Sequence, residues 1–352
     1  PAAGLYLLVL GLVARSRAPR GVVLGLLAVL FGVLGTWRTG VFADSRTVWA
    51  DATEKAPGSA LAWFQRANDA AVRGAWEPAI EWSDRAIALA PRPEILVKAR
   101  LLRTGALLAR IARDAEAGRP VPDAALQEVL DEANRASGLA QDLVALPVVR
   151  EDPREVQAEA EVLRGQALEQ FRDPASALEA YERAVRTWPA HATAHYNLAT
   201  LLASTGTTDD LELASRHLRT ALRHRPAFLD ARIQLATVTA LLGRLDEALK
   251  VLEHAERRHG RTPELLFAQA QVHLAGKQDV QRAEELLVEL NAVAPEHPKA
   301  PRLLSDIQLA RGRLLLEKGR AERDRGALRS ALERFEAALL SLIHISEPTR
   351  PF

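Results

Sequence analysis

A block of about 34 residues recurs along this chain, and fixed periods of this size are typical of arrays in which one helical hairpin stacks on the next. The first clear copy covers residues 60–91, and Pro57 and Pro91 stand one period apart. This recurrence restricts the chain to one kind of architecture. The sequence therefore predicts an all-α solenoid and not a single globular core.

Small and large apolar residues keep the same positions in successive copies. Positions 4, 7, 8 and 11 share one face of a first helix, and positions 20, 24 and 27 share one face of a second. Alanine or glycine at a helix crossing lets the two backbones approach to the short end of the usual ~8–10 Å axis separation. The predicted packing residues are Trp63, Ala67, Ala79, Ala86, Gly165, Ala177, Tyr181, Ala184, Ala199, Ala214, Ala221, Ala236, Ala248, Ala255, Ala270, Ala283, Gly319, Ala331 and Ala338.

Prolines return near the ends of the copies, at Pro91, Pro189, Pro226 and Pro295. A proline inside a helix would cost about 3 kcal/mol, so these residues mark turns. Together with the small residues at positions 8, 20 and 27, they make the copies resemble the tetratricopeptide repeat (TPR). The resemblance implies a superhelical solenoid that binds a protein or an extended peptide on its concave wall.

Amide side chains at position 6 are the candidates for that binding. They are Gln65, Asn197 and Gln234, and an amide offers both a donor and an acceptor to a peptide main chain. Tyr196 and Arg232 lie nearby in sequence and would add stacking or anion contacts. The alternative is that the three amides are simply solvated. Other copies carry Leu163 or Ala268 at this position.

Residues 1–37 predict two membrane helices. Residues 21–37 contain no charge and would span ~25 Å as a helix, within the 17–25 residue range of membrane-spanning segments. Residues 5–14 form another apolar run. A signal peptide is the alternative, but an apolar run has no place before its basic region, and no A-x-A cleavage motif follows.

The arginines around this predicted hairpin indicate its orientation. Arg15, Arg17 and Arg20 lie in the loop between the two apolar runs, whereas Arg38 and Arg46 follow the second run. Positive residues are retained in the cytoplasm. We therefore expect the loop inside and the repeats outside the cytoplasm, in the periplasm beyond a bacterial inner membrane or in an equivalent lumen.

The order of a membrane hairpin followed at once by repeats resembles the C-terminal part of polytopic membrane glycosyltransferase-like proteins, of the transmembrane and TPR-containing O-mannosyltransferase type. This resemblance implies a sugar-transferring half before Pro1 and an array that gathers acceptors. The chain begins with Pro1 and contains no methionine, so it is interpreted as an internal piece of a longer product. A scaffold for envelope assembly or secretion is the remaining alternative.

The predicted organisation departs from regular repeats in two places. Between residues 92 and 153 two longer helical stretches indicate divergent hairpins, and residues 205–212 lengthen one turn. Residues 340–352 resemble a translated sequencing adaptor and are excluded from the fold. The predicted segments are 1–37 (membrane hairpin), 38–91 (half repeat and first TPR), 92–153 (divergent hairpins), 154–339 (TPR array) and 340–352 (artefact).

Composition and motifs argue against catalysis in this chain. It contains no cysteine and none of the P-loop, G-x-S-x-G or H-E-x-x-H motifs. His191 and His195 have the spacing of a metal pair, but their positions in the repeat indicate packing or surface roles. With 46 basic and 45 acidic residues, the chain is not a general nucleic-acid binder. No cofactor, metal or small-molecule ligand is expected.

Overall fold

Helix is the regular structure that the chain adopts, as the repeat pattern predicts. The computed structural model describes residues 44–144, 152–275 and 279–322, together with 326, 329–334, 336 and 337. Within these residues there are helices and connecting turns and no strand, so the predicted all-α class is confirmed.

The predicted membrane hairpin at residues 1–37 and the predicted artefact at 340–352 lie outside the described residues. Among the helices that the structure does describe, none combines the length and the apolar character needed to cross a bilayer.

Residue contacts divide the chain into two compact units, residues 1–156 and 157–352. The described helices of the first unit are α1 (Ser45–Lys55), α2 (Ala60–Val72), α3 (Trp76–Leu89), α4 (Pro93–Glu116) and α5 (Asp123–Val144). Each helix packs on the next one, and α2 also contacts α4. The first predicted repeat is therefore the hairpin α2–α3.

The described helices of the second unit are α6 (Pro153–Gln170), which begins just before the division, α7 (Pro174–Thr187), α8 (Ala192–Thr205), α9 (Thr208–His224), α10 (Leu229–Leu241), α11 (Leu245–His259), α12 (Pro263–Ala275), α13 (Val280–Val293) and α14 (Ala300–Glu322). Each helix from α9 to α13 packs on both of its neighbours in the chain, and α7 packs on α8. In addition, α8 contacts α10, α10 contacts α12, and α12 contacts α14. These four form the inner layer of the unit, and α9, α11 and α13 form its outer layer.

Side-chain caps fix where several of these helices begin. The Ser59 hydroxyl accepts a hydrogen bond from the Ala62 amide at 3.3 Å, and the Asp173 carboxylate accepts one from Ser176 at 3.1 Å. Thr207 does the same for Asp210 at 3.2 Å, directly after Gly206 ends α8 in the left-handed region at φ 72°. Such caps satisfy amides that have no partner within the helix.

Small residues line the seams between helices. The structure buries all the predicted packing residues whose surroundings it describes; Gly319 lies within α14, and Ala338 lies outside the described residues. Gly165 shows why size matters, since a Cβ there would overlap the ring of Tyr181. The Tyr181 hydroxyl in turn donates to the Glu169 carboxylate at 2.7 Å.

One long hairpin, α4–α5, occupies the segment for which divergent hairpins were expected. Its helices have 24 and 22 residues, well beyond the 13 and 14 of α2 and α3. Arg100 of α4 contacts Glu132 of α5 at 2.5 Å, and the Glu132 side chain is only 4% exposed. The long hairpin therefore has an ion pair with a buried carboxylate that ties its two helices together.

Candidate functional site

A groove of about 470 Å³ opens on the inner layer of the second unit. Helices α8, α10 and α12, the first turn of α14 and the segment that leads into α14 line it. The lining residues are Tyr196, Asp230, Ile233, Gln234, Thr237, Glu264, Phe267, Ala268, Gln271, His297, Lys299 and Arg302.

The repeat period determines which side chains face this groove. Helices α10 and α12 contribute residues at the same four positions, 2, 5, 6 and 9 of the repeat. The matching pairs, each separated by one repeat period, are Asp230 and Glu264, Ile233 and Phe267, Gln234 and Ala268, and Thr237 and Gln271. Tyr196 occupies position 5 of α8, but it precedes Ile233 by more than one period because α8 and α9 have 14 and 17 residues, against 13 and 15 in α10 and α11. The turn before α9 is only residues 206–207, so the lengthened turn predicted at residues 205–212 is wrong, and the added residues lie in the helices. The groove is therefore a surface that the repeat itself generates.

Two of the five predicted binding residues line the groove, Tyr196 and Gln234. Asn197 does not line it, and its Nδ2 atom is buried with no hydrogen-bond partner among the described residues. Gln65 lies on α2 in the first unit. The structure thus does not bring the three amides of position 6 together in this groove.

Arg232 has a packing role and not the anion contact that the sequence predicts. Its side chain is buried, and Nη2 donates to the carbonyl of the proline six residues earlier at 2.6 Å. Trp63 and His195 occupy the same position 4 in other copies, and their ring nitrogens contact the equivalent proline carbonyl at 2.8 and 3.0 Å. Three different polar side chains therefore make the same bond at the start of three hairpins.

Aromatic rings supply the apolar part of the groove. The Tyr196 ring packs against Phe228 with centroids 5.0 Å apart, and Phe267 packs against His297 at 5.7 Å. The Lys299 ammonium lies 5.7 Å from the centroid of the Phe267 ring. Burial, aided by the negative charge of Asp230, raises the pKa of the Tyr196 phenol, so the hydroxyl stays protonated and available as a donor at neutral pH.

Four charged side chains of the groove make no ion pair with any residue that the structure describes. Asp230 and Glu264 are negative, whereas Lys299 and Arg302 are positive. Elsewhere in this unit charges pair between helices. Arg219 of α9 contacts Glu247 of α11 at 2.5 Å, and Arg183 of α7 contacts Glu161 of α6 at 3.1 Å. Further examples are Arg311–Glu284 and the pair of Arg261, in the turn before α12, with Glu289 of α13. The groove thus presents charges of both signs on one surface, and none of these four is used in an ion pair among the described residues.

The acidic and aromatic lining residues other than Tyr196 were not among the sequence candidates. The signal for them was present in the sequence, because Asp230 and Glu264 lie one period apart at position 2, as Ile233 and Phe267 do at position 5. Comparing copies at every position, and not only at position 6, would have found them.

A close histidine pair lies between α8 and α9. The Nδ1 atoms of His195 and His217 are 2.8 Å apart, so one of them donates and the other accepts. Burial and the neighbouring His195 lower the pKa of His217 to about 4. Within the described residues no group of three or more potential ligands is placed to hold a metal ion. The pair therefore packs two hairpin helices together as neutral rings.

Comparison with known proteins identifies the repeat. Residues 162–210, which include α7 and α8, match the tetratricopeptide repeat family model. Among curated proteins, none matches the chain significantly.

Solved structures resemble this chain to different degrees. A structure of an IFIT1 monomeric mutant with Gppp-AAAA superposes with a TM-score of 0.54 at 13% identity, covering 84% of this chain and 66% of that one. A tetratricopeptide repeat protein from Parabacteroides merdae gives 0.49 at 16% identity, covering 80% and 98%. YrrB, a TPR protein with an unusual peptide-binding site, gives 0.34 at 17% identity, covering 63% and 97%. By the family match, the chain contains a tetratricopeptide repeat segment at residues 162–210, within a fold whose described residues form stacked helical hairpins.

Proposed function

We propose that the chain is a binding module whose groove in the second unit holds an extended segment of a protein partner. The observation that carries this proposal is the repeated lining of the groove, in which α10 and α12 present matching positions to one continuous surface. An extended peptide has a regular backbone as well, so a surface built by repetition suits it better than a compact small molecule does.

The polar and aromatic lining residues divide the binding task. The Gln234 amide offers a donor and an acceptor to the peptide backbone, which every sequence provides. The Phe267 ring lies at position 5 of the next copy and supplies apolar contact to a side chain of the partner. The Tyr196 hydroxyl adds one further donor.

A selection from short randomised peptides displayed on phage tests the proposal. We expect enriched peptides whose affinity for the purified chain falls about fivefold in Gln234→Ala, because one hydrogen bond contributes about 1 kcal/mol. Phe267→Ala should weaken them further, because apolar contact is lost. The control is Asn291→Ala on α13, which lies outside the groove and should bind as the parent does. Failure to enrich any peptide, with the helical circular dichroism intact, would refute the module.

The location of the module is a separate proposal. We infer that residues 21–37 anchor the chain in a membrane and that the repeats lie outside the cytoplasm, most simply in a bacterial periplasm. The charge-free stretch and the arginines Arg15, Arg17 and Arg20 before it support this orientation. Protease added to intact spheroplasts should then digest the repeats; complete protection until the membrane is lysed would contradict the orientation.

The resemblance to membrane glycosyltransferases supports one specific context, in which the groove receives the acceptor of a sugar transfer. The reading frame before Pro1 decides between this context and an envelope scaffold. Several further membrane spans with an acidic loop would favour the transferase, and one or two spans would favour the scaffold.

A further inference from the structure

We propose that the groove selects a segment that carries one acidic and one basic side chain, a short distance apart along an extended backbone. This inference rests on the proposed function, because it specifies the chemistry of the peptide that the same groove would bind. The bound segment of the partner would therefore carry both a negative and a positive side chain, and would be neither uniformly apolar nor uniformly acidic.

The charges of the groove lie on two separate walls. Asp230 and Glu264 belong to the first turns of α10 and α12 and form the acidic wall. Lys299 precedes α14, and Arg302 lies in the first turn of that helix; these two form the basic wall. Burial raises the pKa of Asp306, and the charge of the nearby Arg302 opposes that rise only in part; the two side chains make no ion pair. Since no ion pair joins the two walls among the described residues, each wall has charge available for a ligand.

Helix stability does not explain the basic wall. The N-terminus of a helix carries partial positive charge, so cations are unfavourable there and anions are favourable. The first turn of α14 nevertheless contains no acidic residue, and it carries Arg302 shortly after Lys299. The backbone N–H groups at the start of α14 and the two cations together form one positive region. An acidic side chain of a ligand would neutralise it.

The acidic wall has a second role that does not remove its charge. Asp230 and Glu264 favour the N-termini of their own helices, as acidic residues in a first turn do. Both carboxylates also line the groove. A basic side chain of the ligand would pair with them without breaking any ion pair that the structure describes.

The distance between the walls sets the spacing of the ligand charges. Packed helix axes lie about 8–10 Å apart, so α12 and α10 lie roughly 10 and 20 Å from α14. An extended chain advances about 3.3 Å per residue, which corresponds to about 3 to 6 residues between the two ligand charges. Between the walls, the Phe267 ring would meet an apolar residue of the ligand.

Short synthetic peptides, acetylated and amidated at their ends, test this inference by fluorescence anisotropy on the purified chain. The mixed peptides carry one Glu and one Lys, separated by about 3 to 6 residues, in both orders along the chain. Three further peptides carry Gln, Glu or Lys at both of these sites. We expect one mixed order to bind about tenfold tighter than the Gln peptide at low salt and to lose most of this advantage at about 1 M salt.

A charge-reversed variant tests which wall binds which charge. Lys299→Glu combined with Arg302→Glu should lose the preference for the mixed peptide and should bind the peptide with two lysines best. The matched control exchanges two exposed charges of α11, Asp246→Lys with Lys250→Glu, and should keep the parental preference. Helical circular dichroism verifies that both variants are folded.

Two results would overturn the inference. If the Gln peptide and both mixed peptides bind with equal affinity, the groove binds peptides but does not select for one acidic and one basic side chain, and the inference is refuted. Equal affinity for the mixed peptide and the peptide with two glutamates would show that the acidic wall is not used. Binding of no peptide at all would refute the proposed function itself, so the two failures are distinguishable.

Discussion

The long hairpin of the first unit and the groove of the second unit use charged residues in opposite ways. In the hairpin, Arg103 of α4 contacts Glu128 of α5 at 2.6 Å and also Asp84 of the preceding helix α3 at 2.6 Å, and Arg100 contacts the buried Glu132. In the groove, four charges of both signs lie on two walls without forming an ion pair among the described residues. Charge that is paired within the fold holds helices in place, whereas charge that is left unpaired is available to a partner.

The largest effect is expected where charge is paired in the core of the hairpin. Glu132→Ala should lower the free energy of unfolding by about 2–3 kcal/mol, because the partly buried Arg100 would lose the charged carboxylate to which it donates. Urea denaturation followed by circular dichroism measures this change. Glu128→Ala, at a carboxylate whose side chain is 44% exposed, is the control and should cost less than about 1 kcal/mol. Equal effects of the two changes would mean that burial of the pair does not matter.

A glycine in each unit gives the next comparison. Gly165→Ala in α6 should destabilise the second unit by about 1–3 kcal/mol, since the new methyl group overlaps the Tyr181 ring. Gly138→Ala in α5 meets no atom within 4 Å and should stabilise its helix by about 0.5–1 kcal/mol. Thermal melts of the two variants should therefore shift in opposite directions. If Gly165→Ala instead raised the melting temperature, as Gly138→Ala should, the close contact with the Tyr181 ring would relax without cost in stability.

Acid should weaken the second unit through its histidine pair. The pKa of His217 in the folded chain is about 4, below the ordinary value of about 6.5, so the unfolded chain binds more protons between these values. The contribution to stability is complete above about pH 6.5 and is lost as the pH falls toward 4. For this half-buried ring we expect a loss of roughly 1–2 kcal/mol.

Urea denaturation at pH 7 and pH 4.5 measures that loss. His217→Gln removes the titrating ring and should reduce the difference between the two pH values. The described part of the first unit contains no histidine, so its unfolding should lack this contribution. An unchanged pH dependence in His217→Gln would assign the acid sensitivity to other groups, such as the buried His195, whose pKa is also lowered by burial.

The hairpins of both units follow from local sequence. The small residues Ala79 and Ala86 of the first copy, and Ala177 and Ala184 of a later one, are buried where the helical period places them. This part was predictable because an apolar stripe and a turn are encoded within one repeat period. The position of Tyr196 and Gln234 on the inner layer follows from the same period.

The role of a polar residue within the repeat depends on the residues that surround it in the folded chain. Arg232 bonds to the carbonyl of Pro226, and Asn197 buries its amide nitrogen away from the groove, although both had been placed on the concave wall. The sequence by itself determined the helices, their small-residue seams and the all-α class, since these depend on spacing along one chain. The tertiary structure alone decided that the acidic wall and the basic wall line one groove, because that arrangement arises only when consecutive hairpins pack side by side.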